Sequence, residues 1–554
     1  MREIEPRFET LTAALTDASA ARQGYIFLDQ KKPVNLSFAE LLTKAKRVAG
    51  KLQASGVDPG DRLILILPTS PAFAVTFWGA VLVGAVPCIL PSPALSRAIP
   101  AGIKRVEAVQ SKIKARCLIT TEKELSVWGN GFDQSAVMTV EALEREPFSA
   151  YTAVSRRPDD LALIQATSGS TGSPKCVPLT HQNLLINIAQ IGERLETMSD
   201  DVVVCWLPMF HDMGLIGCFL HGACWGLKTI LMPPSKFIRR PVTWLKAISD
   251  YRGTQSPAPN FAYGLLLNKV KAEDIPTFDL SSWRSAICGA EPIDSHLLEA
   301  VVEKFSKSHL NPLAMAPAYG LAEAALCVSI YAPSEPLRYE VIDSSLLHEN
   351  RSAIPIRSDF DGPTVAVCNC GRPVSGTSVE VRNERCERLV DGMVGRIWIS
   401  GPSVMGGYLN AEQKTAEILL NGWLDTGDVG YMRDGSLFVL GRDKELIMIR
   451  GQNYYPIDFE RAAEEVDGVT AGRVAAFGLY DASIYSETLM LVIEVRASQL
   501  NSDLSERVKA HIARQTGVPP AAVYLASRGT IPRTTSGKLQ RTLLKRRWVN
   551  GGMR

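Results

Sequence analysis

Thr167-Ser168-Gly169-Ser170-Thr171-Gly172-Ser173-Pro174-Lys175 is the stretch on which the reading of this chain turns. The apolar run Leu161 to Ile164 precedes it, and Leu184, Ile188, Ile191 and Leu195 recur after it at helical spacing. Small residues let the backbone turn tightly, so that N–H groups and hydroxyls can surround phosphate oxygens while Lys175 adds positive charge. The spacing is not that of the Walker loop, which needs Gly-Lys followed by Ser or Thr. Taken by itself, the nonapeptide is equally compatible with an ordinary polar loop.

Toward the N-terminus, helix and strand patterns alternate. Ser37 followed by Glu40 is a capping box, and Leu41, Ala45, Val48 and Leu52 then repeat at helical spacing up to Gly56. Leu63 to Leu67 is a continuous apolar run closed by Pro68, the pattern of a strand covered on both faces. Ala72 to Leu90 carries no charge and is long enough to be weighed as a membrane span, but Pro87 would break a spanning helix. The favoured reading is a buried helix from Phe73 to Val83, a stop at Gly84 and a strand into Cys88 and Leu90. Another strand pattern falls at Leu118-Ile119-Thr120. This is α/β architecture.

Beyond Gly371 the texture changes. Val379-Glu380-Val381, Arg396-Ile397-Trp398-Ile399 and Ser436-Leu437-Phe438-Val439 are short strands with turns between them, the pattern of a β-rich subdomain. Val474 to Phe477 and Leu489 to Val495 then read as strands flanking a helix in a separate small α+β domain. Its helix carries Leu504, Val508 and Ile512 at intervals of four and stops at Gly517. The expectation is a large N-terminal domain of mixed and parallel sheets flanked by helices, residues 1–441, and a small domain, residues 442–554.

Composition bounds the function. A chain of 554 residues is long enough for several cores, and 46% apolar with 21% charged residues rules out long disorder. A net charge of +2 argues against capture of nucleic acid. The 11 cysteines are irregularly spaced, and Arg2, Glu3 and Glu5 follow Met1 where a signal or transit peptide would be read. Reduced thiols and a cytoplasmic location are therefore expected, without a membrane span. Cys368-Asn369-Cys370 lacks a matching Cys/His pair, so no zinc site is expected there.

Further motifs follow the Ser/Gly/Thr loop in order: Leu207-Pro208-Met209-Phe210-His211-Asp212, Gly289-Ala290-Glu291-Pro292, Tyr319-Gly320-Leu321-Ala322-Glu323, Trp423-Leu424-Asp425-Thr426-Gly427-Asp428, Gly441-Arg442-Asp443-Lys444 and Pro532-Arg533-Thr534-Thr535-Ser536-Gly537-Lys538. Together they resemble the adenylate-forming superfamily, over essentially the whole chain. Within it the text most resembles fatty acyl-AMP ligases, on WLPMFHDMGLIG (206–217), KFIRRPVTWLKAISDYRGTQSPAPNFAY (236–263) and GRDKELIMIRGQNYYPIDFE (441–460). The long stretch from Glu323 to Gly371 is a fourth hint. That family carries an insertion in this region, thought to disfavour CoA-dependent turnover, whose counterpart is placed loosely between Arg338 and Val367.

The resemblance implies ATP- and Mg²⁺-dependent conversion of a fatty or related carboxylic acid to acyl-AMP, then transfer to the phosphopantetheine thiol of an acyl carrier protein. Two anions must meet in the first step, so cations and oriented donors are needed where charge develops. By resemblance, Lys538 bridges the acid carboxylate and the α-phosphate, and Glu323 holds Mg²⁺. Thr167, Ser168, Gly169, Ser170, Thr171, Gly172 and Lys175 form the phosphate loop. Tyr319, beside Gly320, stacks on adenine, with Gly289, Ala290, Glu291 and Pro292 passing along the base. Asp428 accepts from the ribose hydroxyls with Arg442 assisting, and His211 gates the carboxylate.

Trp206, Met213, Ile216, Asn260, Phe261 and Tyr263 are the expected acyl pocket, although apolar residues so spaced are more often core. Lys444 is the expected hinge of a mobile small domain, with Gly451-Gln452-Asn453 facing the second reaction. Ser256-Pro257-Ala258-Pro259-Asn260 departs from the Gly-Gly-Pro-Asn turn frequent in these ligases, and its two prolines are expected to stiffen that turn. Chain length and acid class therefore stay open. The basic run from Lys538 to Arg554 is read as solvated surface rather than a docking site for an acidic carrier. Two alternatives stand beside the ligase: an acyl-CoA synthetase using the same adenylate, and a catalytically silent nucleotide-binding protein.

Overall fold

Leu63, Ile64 and Leu65 are fully buried because the strand Arg62–Leu65 lies between two parallel neighbours, Val86–Ile89 and Cys117–Thr120. The computed structural model describes residues 4–29, 32–95, 99–128, 136–167, 174–333, 335–356, 360–362, 364–449, 452–481, 486–500, 503–534 and 537–551. Around Arg62–Leu65 a six-stranded sheet runs Val137–Thr139, Cys117–Thr120, Arg62–Leu65, Val86–Ile89, Leu161–Thr167, Lys175–Thr180. Its last pair is antiparallel. Helix Phe38–Ala54 starts at the Ser37/Glu40 capping box, where two orphan N–H groups are satisfied reciprocally.

The uncharged stretch resolves into helix Pro71–Leu82, a turn at Gly84 with φ +77°, and strand Val86–Ile89. Among the described residues no helix is long and apolar enough to cross a membrane.

A second, nine-stranded sheet carries most of the site. From one edge to the other it runs Arg372–Pro373, Cys327–Ile330, Met315–Gly320, Ser285–Cys288, Gln255–Ala258, Val202–Cys205, Lys228–Leu231, Gly24–Phe27, Val34–Ser37. One continuous core joins the two sheets. Fully buried Phe77, Phe219 and Phe237 belong to it, and each such side chain contributes about 1.5–3 kcal/mol by leaving water.

The proline-bearing segment corrects the sequence reading. Gln255–Ala258 is a strand, not a turn, and Pro259 caps helix Asn260–Lys269. The strand pairs fully with Ser285–Cys288, whereas on its other side only Gln255 pairs with Val203. Pro257 thus falls where the second ladder has ended, and its missing N–H costs that ladder nothing.

After Gly371 a five-stranded antiparallel sheet forms from Ser378–Arg382, Gly395–Ser400, Trp423–Arg433, Leu419–Leu420 and Ser436–Arg442. Past Ile447 the chain builds cores of its own on the sheet Val474–Asp481, Ser486–Val495, Ala522–Ser527. Helix Leu504–Thr516 buries Leu504, Val508 and Ile512 there and ends at Gly517 with φ +71°.

The expected insertion interval contains regular structure. Strands Tyr339–Asp343 and Thr364–Cys368 pair antiparallel, and helix Ser344–Asn350 lies between them in sequence. Ile342, Leu347, Val365 and Val367 share an apolar cluster with Tyr455, and Leu446 and Ile457 pack against it. Arg461 adds donors to the carbonyls of Ala366 (3.1 Å) and Ile293 (2.9 Å). The segment therefore braces the start of the C-terminal unit.

Candidate active site

Thr167 and Lys175 face each other in the antiparallel pair Leu161–Thr167 and Lys175–Thr180, so the two ends of the nonapeptide are held side by side. A strand thus separates the loop from helix His181–Arg194. Ser168, Gly169, Ser170, Thr171 and Gly172 lie outside the described residues. Lys175 is half-buried, and its Nζ donates to the Tyr408 hydroxyl at 2.9 Å while standing 4.6 Å from the centre of that ring. Burial pulls the Lys175 ammonium below its usual range, with the Glu323 charge working against it. Tyr408 in turn donates to Glu323 Oε1 at 2.5 Å. Sequence reasoning missed Tyr408, and the adjoining Gly406-Gly407 was the only local cue.

Tyr319 is the penultimate residue of the strand Met315–Gly320, where Gly320 is required: a Cβ there would stand 1.8 Å from the Leu326 carbonyl oxygen. The Tyr319 hydroxyl donates to Asp428 Oδ2 at 2.7 Å, and Arg442 Nε lies 2.9 Å from Asp428 Oδ1. Asp428 and Arg442 are register partners on adjacent strands, so the sheet itself presents the pair. Burial, then the Asp428 charge, pushes the Tyr319 hydroxyl well up and keeps it a donor. Both Asp428 oxygens are engaged, yet each retains a lone pair for a further donor. Glu323 sits on the short turn Ala322–Ala324, its carbonyl accepting from Met405 N at 2.8 Å.

The acid side is built differently from expectation. Asn260 has partners of its own: its amide donates to the Pro292 carbonyl at 2.5 Å, and its oxygen accepts from Asp294 N at 3.3 Å. It fastens the Gly289-Ala290-Glu291-Pro292 segment, in which Ala290 has φ +74°. Glu291 is partly buried and accepts from Phe261 N at 3.1 Å at the start of helix Asn260–Lys269. Burial raises this carboxyl, against the pull of that hydrogen bond and of Lys538.

Tyr263 is core rather than pocket lining, fully buried with its hydroxyl donating to the Ile287 carbonyl at 3.0 Å. Trp206 stacks on Phe237 with centroids 3.9 Å apart, and Ile216 is fully buried. Aromatic rings near the site pack more favourably on one another than in an open channel. Met213 and Phe261 are closer to the surface, and Phe261 lies edge-on to Trp206 at 6.0 Å. His211 caps the turn Asp212–Gly214, and its Nδ1 stands 2.7 Å from Asp212 Oδ1. Burial would raise the Asp212 carboxyl, but His211, its hydrogen bonds and the Lys538 charge hold it below the usual range.

Lys538 lies on a tight reversal in which Thr534 N donates to the Lys538 carbonyl at 2.8 Å and Lys538 N donates to Thr534 Oγ1 at 3.0 Å. Next to it, Gly537 has φ +91°, and a Cβ there would stand 3.3 Å from Phe261 Cε1. Lys444 lies in the short turn Asp443–Glu445. Asp443 is 3.9 Å from Arg396, whereas Glu445 accepts from Arg541 at 2.7 Å. Gly451 lies outside the described residues, Gln452 donates to Glu349 at 3.1 Å, and the side chain of Asn453 is not among those described.

A lysine whose charge acts on two partly buried carboxylates, a Tyr–Asp–Arg cluster, and a half-buried Lys175 bridged through Tyr408 to Glu323 together fit one class: ligases that activate an acid as its adenylate. Residues 15–409 match the family described as AMP-binding enzyme, and the chain belongs to that family. It is 33% identical to the medium-chain-fatty-acid–[acyl-carrier-protein] ligase JamA of Moorena producens (strain JHB), over 99% of this chain and 96% of that one. It is 31% identical to the long-chain-fatty-acid–AMP ligase FadD32 of Mycolicibacterium smegmatis (strain ATCC 700084 / mc(2)155), over 100% and 94%. A solved structure from a study of fatty acyl-adenylate ligases from E. coli and L. pneumophila superposes with a TM-score of 0.92. It shares 32% identity and covers 100% of this chain and 99% of that one.

Proposed function

We propose that this enzyme activates a fatty or related carboxylic acid with ATP as acyl-AMP, releasing pyrophosphate, and then passes the acyl group to the phosphopantetheine thiol of an acyl carrier protein. The observation that carries the proposal is the reach of Lys538, whose charge acts on both Asp212 and Glu291 while the neighbouring Gly537 meets Phe261. An ammonium there would offset the charge that develops as a carboxylate and a phosphate approach each other.

The other residues take supporting roles. His211, oriented by Asp212, borders the acid, with Phe261 and Met213 beside it. Asp428 accepts ribose hydroxyls through its remaining lone pairs, and the Tyr319 ring, fixed by its hydroxyl, stacks on the base. Thr167, the loop hydroxyls and Lys175 hold phosphate oxygens.

Glu323 would hold Mg²⁺. Among the described residues no group of three or more His, Cys, Asp or Glu side chains could hold a metal. A single carboxylate fits a cation that completes its shell with phosphate oxygens and water. The ion supplies charge neutralisation on the departing pyrophosphate.

The second half-reaction needs Lys538 withdrawn and a thiol admitted. Two units, 1–441 and 442–554, turning about Lys444 provide for this. The names of the relatives support a fatty acid as substrate and a carrier protein as acceptor.

Pyrophosphate release measured with ATP and a panel of acids, followed by thioester formation with CoA or a holo carrier protein, tests the reading. Acid-dependent release and preferential loading of the carrier are expected. CoA loading of equal efficiency would make the enzyme an acyl-CoA synthetase, and no acid-dependent release would make it a silent nucleotide-binding protein.

A further inference from the structure

Lys175 and Glu323 bear opposite charges on neighbouring elements, yet they meet through a third residue. The Tyr408 hydroxyl accepts from Lys175 Nζ at 2.9 Å and spends its one proton on Glu323 Oε1 at 2.5 Å. The Tyr408 ring lies beneath the Lys175 ammonium at 4.6 Å. Left to themselves, a half-buried ammonium and a carboxylate at this range would close into a direct ion pair. Each would then be occupied by the other, rather than by a phosphate or a cation.

The backbone that carries Tyr408 is tied to the elements on both sides. Met405 N donates to the Glu323 carbonyl at 2.8 Å, and Leu409 N donates to the carbonyl of Cys176, next to Lys175, at 3.0 Å. Tyr408 N donates to Thr415 Oγ1 at 2.9 Å. Asn183 holds the carbonyls of Pro402 and Val404 at 2.8 and 3.3 Å. Tyr408 is only 6% exposed. A strap fixed at so many points places its hydroxyl with little residual freedom, which is the condition for preorganisation.

We infer that Tyr408 is a positioning residue that keeps Lys175 and Glu323 apart, leaving the ammonium for a nucleotide phosphate and Glu323 Oε2 for the magnesium that accompanies it. This rests on the metal role given to Glu323 under the proposed function.

The test is equilibrium binding of ATP at varied Mg²⁺, by titration calorimetry without any acid, so that no turnover occurs. Tyr408→Phe keeps the ring and its packing and removes only the hydroxyl. The Mg²⁺ concentration that half-saturates ATP binding should rise about tenfold in this variant, the scale of one charge-assisted hydrogen bond. Its melting temperature without nucleotide should stay near that of the parent.

Glu323→Gln should raise the Mg²⁺ requirement at least as much, and the double variant should add little, because the two side chains act as one unit. Parent-like Mg²⁺ dependence in Tyr408→Phe, with Glu323→Gln impaired, overturns the inference alone. Parent-like dependence in Glu323→Gln overturns the metal role itself, and the inference with it.

Discussion

Gly537 rests against Phe261: a Cβ built on the glycine would stand 3.3 Å from Cε1 of the ring, and the glycine holds φ +91°. The contact lies next to Lys538, so it can tune how the proposed catalytic lysine meets the helix that begins at Asn260. Gly537→Val would add bulk at the contact and place a β-branched residue where only glycine is comfortable. The strain is about 1–3 kcal/mol, which, if borne in reaching the transition state, lowers acid-dependent pyrophosphate release by about five- to 150-fold. Gly537→Ala should lie between. ATP affinity, measured without acid, should change little in either variant.

Lys444 stands between two residues engaged in different ion pairs. Asp443 reaches toward Arg396, which also pairs with Asp425 at 3.0 Å, while Glu445 is held by Arg541, itself bidentate on Glu460. The proposed rotation at residue 444 would leave both of these pairs intact, while breaking the Arg461 bonds to the carbonyls of Ala366 and Ile293. Lys444→Pro, which freezes φ, should leave pyrophosphate release within about threefold and cut carrier loading at least about tenfold. Both rates are read from one reaction by following pyrophosphate and thioester separately.

Two buried histidines make stability depend on pH. Burial lowers His181 and His221 from 6.5 to about 4; His181 Nδ1 accepts from Leu11 N at 3.1 Å, so it is held neutral. The unfolded chain takes up protons near pH 6.5 and the folded chain only near 4. Stability is therefore flat above about pH 6.5 and falls as pH drops through that window, by on the order of 3 kcal/mol for each histidine. Thermal melts between pH 7 and pH 5 should show the decline, and His181→Gln, which keeps an acceptor for Leu11, should make it shallower.

What the sequence revealed followed from how local each feature was. The Ser37/Glu40 cap, the Leu63 run and the Gly84 stop depend on neighbours a few residues away, and they stand where periodicity and turn chemistry predict. Ser256 to Asn260 misled because a proline's place in a sheet depends on which ladder bonds survive, and those are set by strands at Val202–Cys205 and Ser285–Cys288. Trp206, Ile216 and Tyr263 were candidates for a pocket, since an apolar residue bound for a core looks the same in sequence as one lining a channel. Tyr408 was invisible because its partners, Lys175 and Glu323, are distant in the chain. The motifs named the elements around the site; the hydrogen bonds joining them came only from tertiary structure.

The account depends most on Lys538, and comparing two half-reactions in Lys538→Ala tests it directly. Acid-dependent pyrophosphate release should fall by about 10²–10³, the scale of losing one oriented charge at a reacting phosphate. Transfer from supplied acyl-AMP to the holo carrier protein should persist at close to the parent rate. Parent-like pyrophosphate release, or an equal loss of both half-reactions, would contradict the role given to this lysine.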